Sequence, residues 1–594
     1  MMMVKPGNYR ARLLLDLCQV VVLPVLVLLV LTRIYETHLW WPLPTYILFI
    51  ALWAVAKGLI EDILQSQERY RLGAKAIPCV VGKWPGNIDV LLRMMRAFKT
   101  SYLMDVYLEL FEEYQCTTLN LRILWRDSII TMDQEHMKFV LATGFHHFWR
   151  GNYQKERMER FLGQGIFNRD DETWCTHRAN TRPFFARERI SDFHTFETYT
   201  SRTLDIISNL GATSQAFDAQ DLFSRFTLDA ASEALFGENL DTLSASLPIA
   251  GQARMGPKGS ATEDGWGSFA NAFEMAQQVA TQRARLGPWL WPMLEFWQDK
   301  NVKNVEVIHE WLDPLVQGAI YSKKKMMESG ITSPIGEKTF LQHLADSTDD
   351  PVMIRDQLLS LLLASRDTTA CLLTYVIYFM AMYPDMAQRL RTEVLEHCGR
   401  GLPTYDQIRN LKYMRAVLNE TLRLYPPVPL NVRESRTASA LPHSDSTFSM
   451  DGTSLYMPKS TPVMFLPFLT QRNKTLWGSD ADVFDPERWI DPTRISRFVS
   501  NPAMFTPFSA GPRICVGQNY AYNEASYFLV RLLQEYDTFT LAPEAQPEGS
   551  LPPSEWKTRK GRQAVEQIWP AAALTLFVKG GLWVRFGKAS STSC

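Results

Sequence analysis

The chain has 594 residues, enough for several ordinary domains or for one large helical unit behind a membrane anchor, so periodicity must choose between them. Its 62 Lys plus Arg balance 63 Asp plus Glu, which excludes bulk nucleic-acid binding through net charge. Eight scattered cysteines without a C-x-x-C pair exclude a disulfide framework and a clustered zinc site, and fit a reducing compartment.

Two apolar stretches open the chain, residues 13–32 and 39–60, each close to the ~20 residues that cross a bilayer. Asp16, Gln19 and Pro24 interrupt the first. Trp40, Trp41, Pro42 and Pro44 crowd the start of the second, where interfacial aromatics lie. The first run is long for the apolar core of a cleaved signal peptide, and no small-residue cleavage site precedes the second, so the sequence predicts a retained anchor over residues 1–74. Lys5, Arg10 and Arg12 precede the first stretch, and Lys57, Arg69 and Arg71 lie at or beyond the end of the second. A two-span hairpin would therefore leave both ends cytosolic; a single span plus an apolar patch lying on the membrane is the alternative.

Residues 75–86 read as a Pro/Gly-containing connector, and 75–594 as one unit, mostly α with small β-sheets (α+β). Apolar positions recur at helical spacing over 90–98, 217–235, 351–382 and 405–424. Runs 461–466 and 574–586 predict strands, the second as a hairpin around Gly580-Gly581, while 242–267 and 543–555 read as surface loops.

Several motifs carry chemistry. Trp174 and Arg178 share one helical face, which by itself could be cation–π packing. Residues 358–369 are an apolar helix interrupted by Ser365-Arg366-Asp367-Thr368-Thr369, polar groups that either bond back to the preceding turn or line a cavity. Glu420 and Arg423 can pair at i and i+3, a pattern common on helix surfaces. Arg433 follows Pro426-Pro427-Val428-Pro429, and Phe484-Asp485-Pro486-Glu487-Arg488-Trp489 supplies another arginine. Last comes the segment from Phe508 to Gly517, which holds Cys515 between two glycines ahead of the apolar run 525–533, with the polar stretch 520–524 read as a turn between them. A thiol at such a helix entry, beside a guanidinium, favours thiolate, the metal-binding form; a buried structural cysteine is the plain alternative.

The spacing Phe-x-x-Gly-x-Arg-x-Cys-x-Gly, occupied by Phe508, Gly511, Arg513, Cys515 and Gly517, resembles the heme-binding signature of the cytochrome P450 monooxygenases. The resemblance implies that Cys515 is the axial thiolate of a heme b iron and that Arg513 binds a propionate. Gly511 would permit the hairpin turn, and Gly517 would let the following helix approach the porphyrin. The upstream motifs match in order. Trp174, Arg178 and Arg433 would contact propionates, and Glu420, Arg423 and Arg488 would form a buried charge network. Asp367 and Thr368 would be the acid and alcohol of proton delivery, with Ser365 in place of the family's usual glycine. By position in the family's plan, residues 144–166, 361–364, 428–432 and 577–582 would face the distal pocket.

Narrower similarity, in the segment from Tyr9 to Leu17 and in Leu162-Gly163-Gln164-Gly165-Ile166-Phe167, looks like the membrane-bound fungal members of the alkane and fatty-acid hydroxylase type, including basidiomycete ones. This implies oxygen insertion into a C–H bond of a lipophilic substrate, in lipid metabolism or in tailoring of a terpenoid, prenylated or aromatic secondary metabolite. Electrons would come from NADPH through a separate cytochrome P450 reductase, with cytochrome b5 as an auxiliary donor, on the cytosolic side of the endoplasmic reticulum membrane. An isomerase or dehydratase working without external electrons, and a non-catalytic heme-binding scaffold, are the rival readings.

Overall fold

The computed structural model describes residues 8–36, 41–212, 214–253, 255, 267–329, 338–444 and 453–589. Lys5, the expected start of the second span at 39 and residues 254 and 256–266 of the expected loop 242–267 lie outside the described residues.

The first helix, α1, runs Tyr9–Ile34 through a π-helical turn at Cys18–Val22, and α2 spans Pro42–Arg71. Among the described residues α1 alone is long and apolar enough to cross a bilayer as one straight segment, with a mean hydropathy of 2.8 over its most apolar window. At 30 residues α2 is longer, and its Leu43, Ile47, Leu52, Val55 and Leu59 are exposed, but from Glu61 onward it carries Glu61, Asp62, Glu68, Arg69 and Arg71.

Beyond α2 the chain is largely helical. The helices that matter for the site are α3 (Asn152–Leu162), α4 (Asp171–Thr181), α5 (Ala219–Phe236), α6 (Gly267–Leu294), α7 (Val302–Ser329), α8 (Pro351–Met382), α9 (Lys412–Leu424) and α10 (Gln518–Glu535). Central to the packing is α8. Asp350 caps it by accepting from the Val352 and Met353 N–H groups, Pro351 sets the first turn, and Pro384 follows its last residues. It is apolar on nearly every face, as a helix buried on all sides must be, and packs against α5, α9 and α10. This helix coincides with the expected run.

Five short strands make one mixed sheet: β1 (Thr118–Asn120), β2 (Ile129–Thr131), β3 (Phe148–Trp149), β4 (Asn431–Ser435) and β5 (Pro462–Phe465), in the order β1-β2-β5-β4-β3. Register is set by pairs such as Ile129 with Val463 and Phe148 with Ser435, and the side chains of Ile129, Val463 and Phe148 bury a cluster with Met137, Val140 and Leu141. The sheet brings Arg433 on β4 beside Arg150, the residue after β3.

At the C-terminus the strands are β6 (Tyr536–Leu541), β7 (Pro570–Ala572), β8 (Leu576–Val578) and β9 (Trp583–Lys588). The expected hairpin around Gly580-Gly581 does not form: β8 pairs back with β7, while β9 pairs with β6 and with Phe217–Asp218. A Cβ on Gly581 would collide with the carboxylate of Asp218, the N-cap of α5, so this glycine lets the chain pass under a helix end instead of turning between paired strands. The run 405–424 is two helices, Tyr405–Asn410 and α9, because Leu411 is extended and Glu393 accepts the N–H groups of Tyr413 and Met414 at the new start. Residues 520–524, expected as a turn, already belong to α10.

Candidate active site

The loop before α10 folds back on itself through Cys515 N–H to Phe508 O at 2.9 Å and Ile514 N–H to Gly511 O at 3.0 Å. Gly511 has φ +64°, and a Cβ there would strike the backbone of Leu141, so no other residue permits this approach. The thiol of Cys515 is exposed, yet burial in the surrounding protein is the largest influence on it and raises its pKa above the ordinary value; the Gly517 N–H and Arg178 act in the opposite sense. Both hold for a thiol that opens onto an internal cavity. The guanidinium that acts on Cys515 is thus Arg178, not Arg513 as the sequence suggested, and burial outweighs it. Phe508, half-buried, packs on Tyr522 at 5.2 Å, and a Cβ on Gly517 would press on the Phe185 ring at 3.3 Å.

Helix α10 packs against α8, where Glu524 bonds the hydroxyl of Thr369. Buried for most of its length, α8 is only part-buried at Leu363, Ala364, Ser365 and Thr368, a strip on one face. The polar interruption both lines this opening and bonds back: Thr368 Oγ1 donates to Ala364 O and Ser365 Oγ to Leu361 O, each at 2.6 Å. The helix stays regular α through Ser365. Asp367 is buried, with Oδ1 3.2 Å from Arg366 Nη1, and Arg366 reaches Glu274 on α6 at 2.8 Å.

Against one edge of the cavity the fold gathers cations. Arg433 is buried, with Nη1 donating to Val432 O at 2.9 Å and Asn431 Oδ1 at 3.2 Å. Burial, then the neighbouring Arg150 and Arg513, hold its pKa well below the arginine range. Arg513 donates to Asp170 at 2.7 Å and stacks over Trp174 at 4.4 Å, and burial followed by repulsion from Arg150 brings it to about 10. Arg150 donates to Phe167 O at 2.7 Å, and burial likewise brings it to about 10. Arg178 lies 5.8 Å from the Trp174 ring, and its Nε has no hydrogen-bond partner. Asp170, the carboxylate among these groups, is already shared between Arg513 and Lys155, each at 2.7 Å. Crowded guanidiniums that depress one another beside a cavity floored by a thiol fit a heme, whose two propionates would supply the missing anions and whose iron would take the thiolate.

The structure brings Glu420, Arg423 and Arg488 together away from this cluster. Arg423 grips both oxygens of Glu420 at 2.8 Å, and Arg488 Nε lies 3.4 Å from Oε1. Trp489 Nε1–H and Asp485 N–H, each 3.0 Å away, complete the carboxylate's shell, while Arg423 also donates to the carbonyls of Gln471, Ala481 and Val483.

The string from Leu162 to Phe167 has a packing reason. Gln164 N–H donates to Asp356 at 2.7 Å, Ile166 N–H reaches Gln357 at 3.3 Å, and a Cβ on Gly165 would collide with Ser360, so the segment lies flat against α8. At the C-terminus, Val578 and Leu582 are buried in the main core, and Leu574, at the β7–β8 turn, packs with the cluster of Leu358, Leu361 and Leu362. Sequence reasoning missed Arg150, Lys155 and Asp170. Arg150 stands between Trp149 and Gly151 in a stretch that matches no motif, and its partner Asn431 is 281 residues away.

The site so assembled has the geometry of a heme-thiolate protein. The cytochrome P450 family model matches residues 85–560. The chain is 36% identical to cytochrome P450 monooxygenase himC of Aspergillus japonicus over 82% of its own length and 80% of that protein's. It is 34% identical to cytochrome P450 52-E3 of Starmerella bombicola, over 80% and 87% of the two chains, and 33% identical to cytochrome P450 monooxygenase fsdH of Fusarium heterosporum, over 78% of each. The chain belongs to the cytochrome P450 family, and it is an oxidoreductase of the monooxygenase class.

Proposed function

We propose that this protein is anchored in the endoplasmic reticulum membrane through residues 1–74, its catalytic unit cytosolic, and inserts one oxygen atom from O2 into a C–H bond of a lipophilic substrate. The substrate is an alkane or fatty acid, or a terpenoid, prenylated or aromatic fungal metabolite. The observation that carries the reading is the pairing of the cavity-facing Cys515 with guanidiniums in excess of their carboxylates. Cys515 would hold the heme iron, Trp174, Arg178, Arg433 and Arg513 its propionates, with Arg150 as a further partner; Phe508 and Gly517 would shape the loop against the ring. When bound, the heme supplies oxygen activation, which a thiolate ligand favours.

The chain's own part is positioning and proton handling. Thr368 Oγ1–H would leave Ala364 O to donate into the cavity, and Asp367, once it turns from Arg366 and takes up a proton from solvent, would replace the proton that the hydroxyl gives up. Leu361 and Leu362, buried beside the open strip, exclude water. Electrons would come from NADPH through a separate reductase, with cytochrome b5 as an auxiliary donor. A groove of about 380 Å³ lined by Arg187, Tyr405, Arg409, Arg415 and Asn519, on the α10 side of the molecule, gives an acidic partner a basic seat.

Cys515→Ser is expected to abolish the red-shifted Soret band of the reduced carbon-monoxide complex, and a retained band would overturn the assignment. NADPH consumption with reductase, read against type I binding spectra for alkanes, fatty acids, aromatics and terpenoids, then identifies the substrate class.

A further inference from the structure

The first turn of α1 does not hang free. It grips residues 287–301, the end of α6 and its connection to α7, where the helical path breaks at Gly287 and contains Pro288 and Pro292. Pro292 has no N–H, so the Pro288 carbonyl loses its helical donor, and Arg12 Nη2 supplies one at 2.7 Å. Past the end of α6, Glu295 O accepts from Tyr9 Oη at 2.9 Å and Phe296 O from Arg10 Nε at 2.6 Å. Three carbonyls left without helical donors are thus served by three residues of one turn.

Tyr9 is buried with its ring 4.6 Å from Trp291, which covers Arg283, itself paired with Glu295 and Asp299 at 2.6 Å each. Arg12 also grips Glu156 of α3 at 2.8 Å, and Arg160 of α3 reaches Asp299 at 2.9 Å. The segment carries Leu290, Met293, Leu294 and Trp297 exposed beside the root of the apolar helix. It closes α6, the helix that reaches Arg366 of α8 through Glu274 and whose Phe273 packs on Phe161 of α3 at 5.3 Å and clusters with Leu361 and Leu362 beside the open strip.

We propose that Tyr9, Arg10 and Arg12 form a latch that ties this segment, and through it α6 beside the open strip, to the membrane anchor, and that a lipophilic ligand entering from the bilayer must release it. The inference rests on the anchored reading above. The chain thereby couples its seat in the membrane to the opening of its own cavity, through contacts that peel apart without disturbing α8.

The test uses the full-length heme-loaded protein in phosphatidylcholine nanodiscs, comparing wild type with Tyr9→Phe, Arg12→Gln and the double variant. Hydrogen exchange across 287–301 should quicken about tenfold in the double variant, the size expected when hydrogen bonds to a charged donor are lost, while 351–382 stays as protected as in wild type. The association rate of dodecanoic acid, followed by its spectral shift, should rise with it. Unchanged exchange over 287–301, loosening that extends equally into 351–382, or faster exchange with an unchanged association rate would each overturn the latch. Protease protection of 9–34 in vesicles reads the anchored reading separately, so failure of that reading and failure of the latch give different results.

Discussion

Two groups of buried arginines sit in the same fold and are treated in opposite ways. Around Glu420, every charged atom of Arg423 has a partner in the chain, and the carboxylate is bonded by two guanidiniums, an indole and a backbone N–H. Around Arg433, the nearest charges are other arginines, and Asp170 is already committed. An arginine cannot shed its proton at neutral pH, so burying several together is tolerable only if an anion arrives from outside the chain. The first group is finished structure; the second is half of a binding site.

The comparison breaks most visibly at Glu420. Glu420→Gln leaves two buried guanidiniums facing a neutral amide, a loss of about 3–5 kcal/mol set against the roughly 5–15 kcal/mol that holds a domain together. The expected outcome is insoluble or unfolded protein that added hemin does not rescue, checked by soluble yield and circular dichroism with and without hemin.

Glu524 shows a third way to bury a charge. It is held inside α10, Thr369 bonds it, its Oε2 has no hydrogen-bond partner, and burial pushes its pKa up to about 8. A carboxyl, unlike an arginine, can answer burial by keeping its proton. Because the folded-state value lies above the ordinary one, the stabilisation is full below about pH 4.5 and is lost as pH rises through about 8, by at most about 1.4 kcal/mol per pH unit. Glu524→Gln should flatten the fall of Tm between pH 5 and 8 and leave the variant more stable than wild type at pH 8. A parallel fall in both proteins would mean that the carboxyl finds a counter-charge.

Arg433→Met sharpens the contrast with Glu420. Removing a cation that its neighbours repel should leave the Tm of the heme-free chain equal or higher, while heme transfer to apomyoglobin quickens about tenfold, the loss of one charge-assisted bond of about 1.4 kcal/mol. Excess hemin should restore the spectrum, as it cannot for Glu420→Gln. A lower Tm in the heme-free chain would class Arg433 with the finished structure.

Legibility follows the same division. Cys515, Glu420, Arg423, Arg488, Trp174 and Arg178 stood out because each sits in a short pattern, and α8 because its apolar run is bounded by Asp350-Pro351 and Pro384. Arg150 and Asp170 were invisible because their meaning lies in Asn431 and Arg513, 281 and 343 residues away, and local periodicity says nothing about such partners. The hairpin error has the same origin: Gly580-Gly581 reads as a turn until Asp218, more than 360 residues upstream, is seen to fill the space a side chain would need.

The smallest effect concerns Ser365, where the family's usual residue is glycine. The hydroxyl spends its hydrogen bond on Leu361 O, and α8 remains regular, so the serine acts as a helix residue and does not widen the groove. Ser365→Ala should then raise stability by about 0.5 kcal/mol and Ser365→Gly lower it by a similar amount, following helix propensity alone. The ratio of peroxide to product should stay at the wild-type value in Ser365→Ala. A changed ratio with an unchanged Tm would mean that the hydroxyl leaves Leu361 during turnover and joins Thr368 in handling protons, making the serine a working member of the open strip.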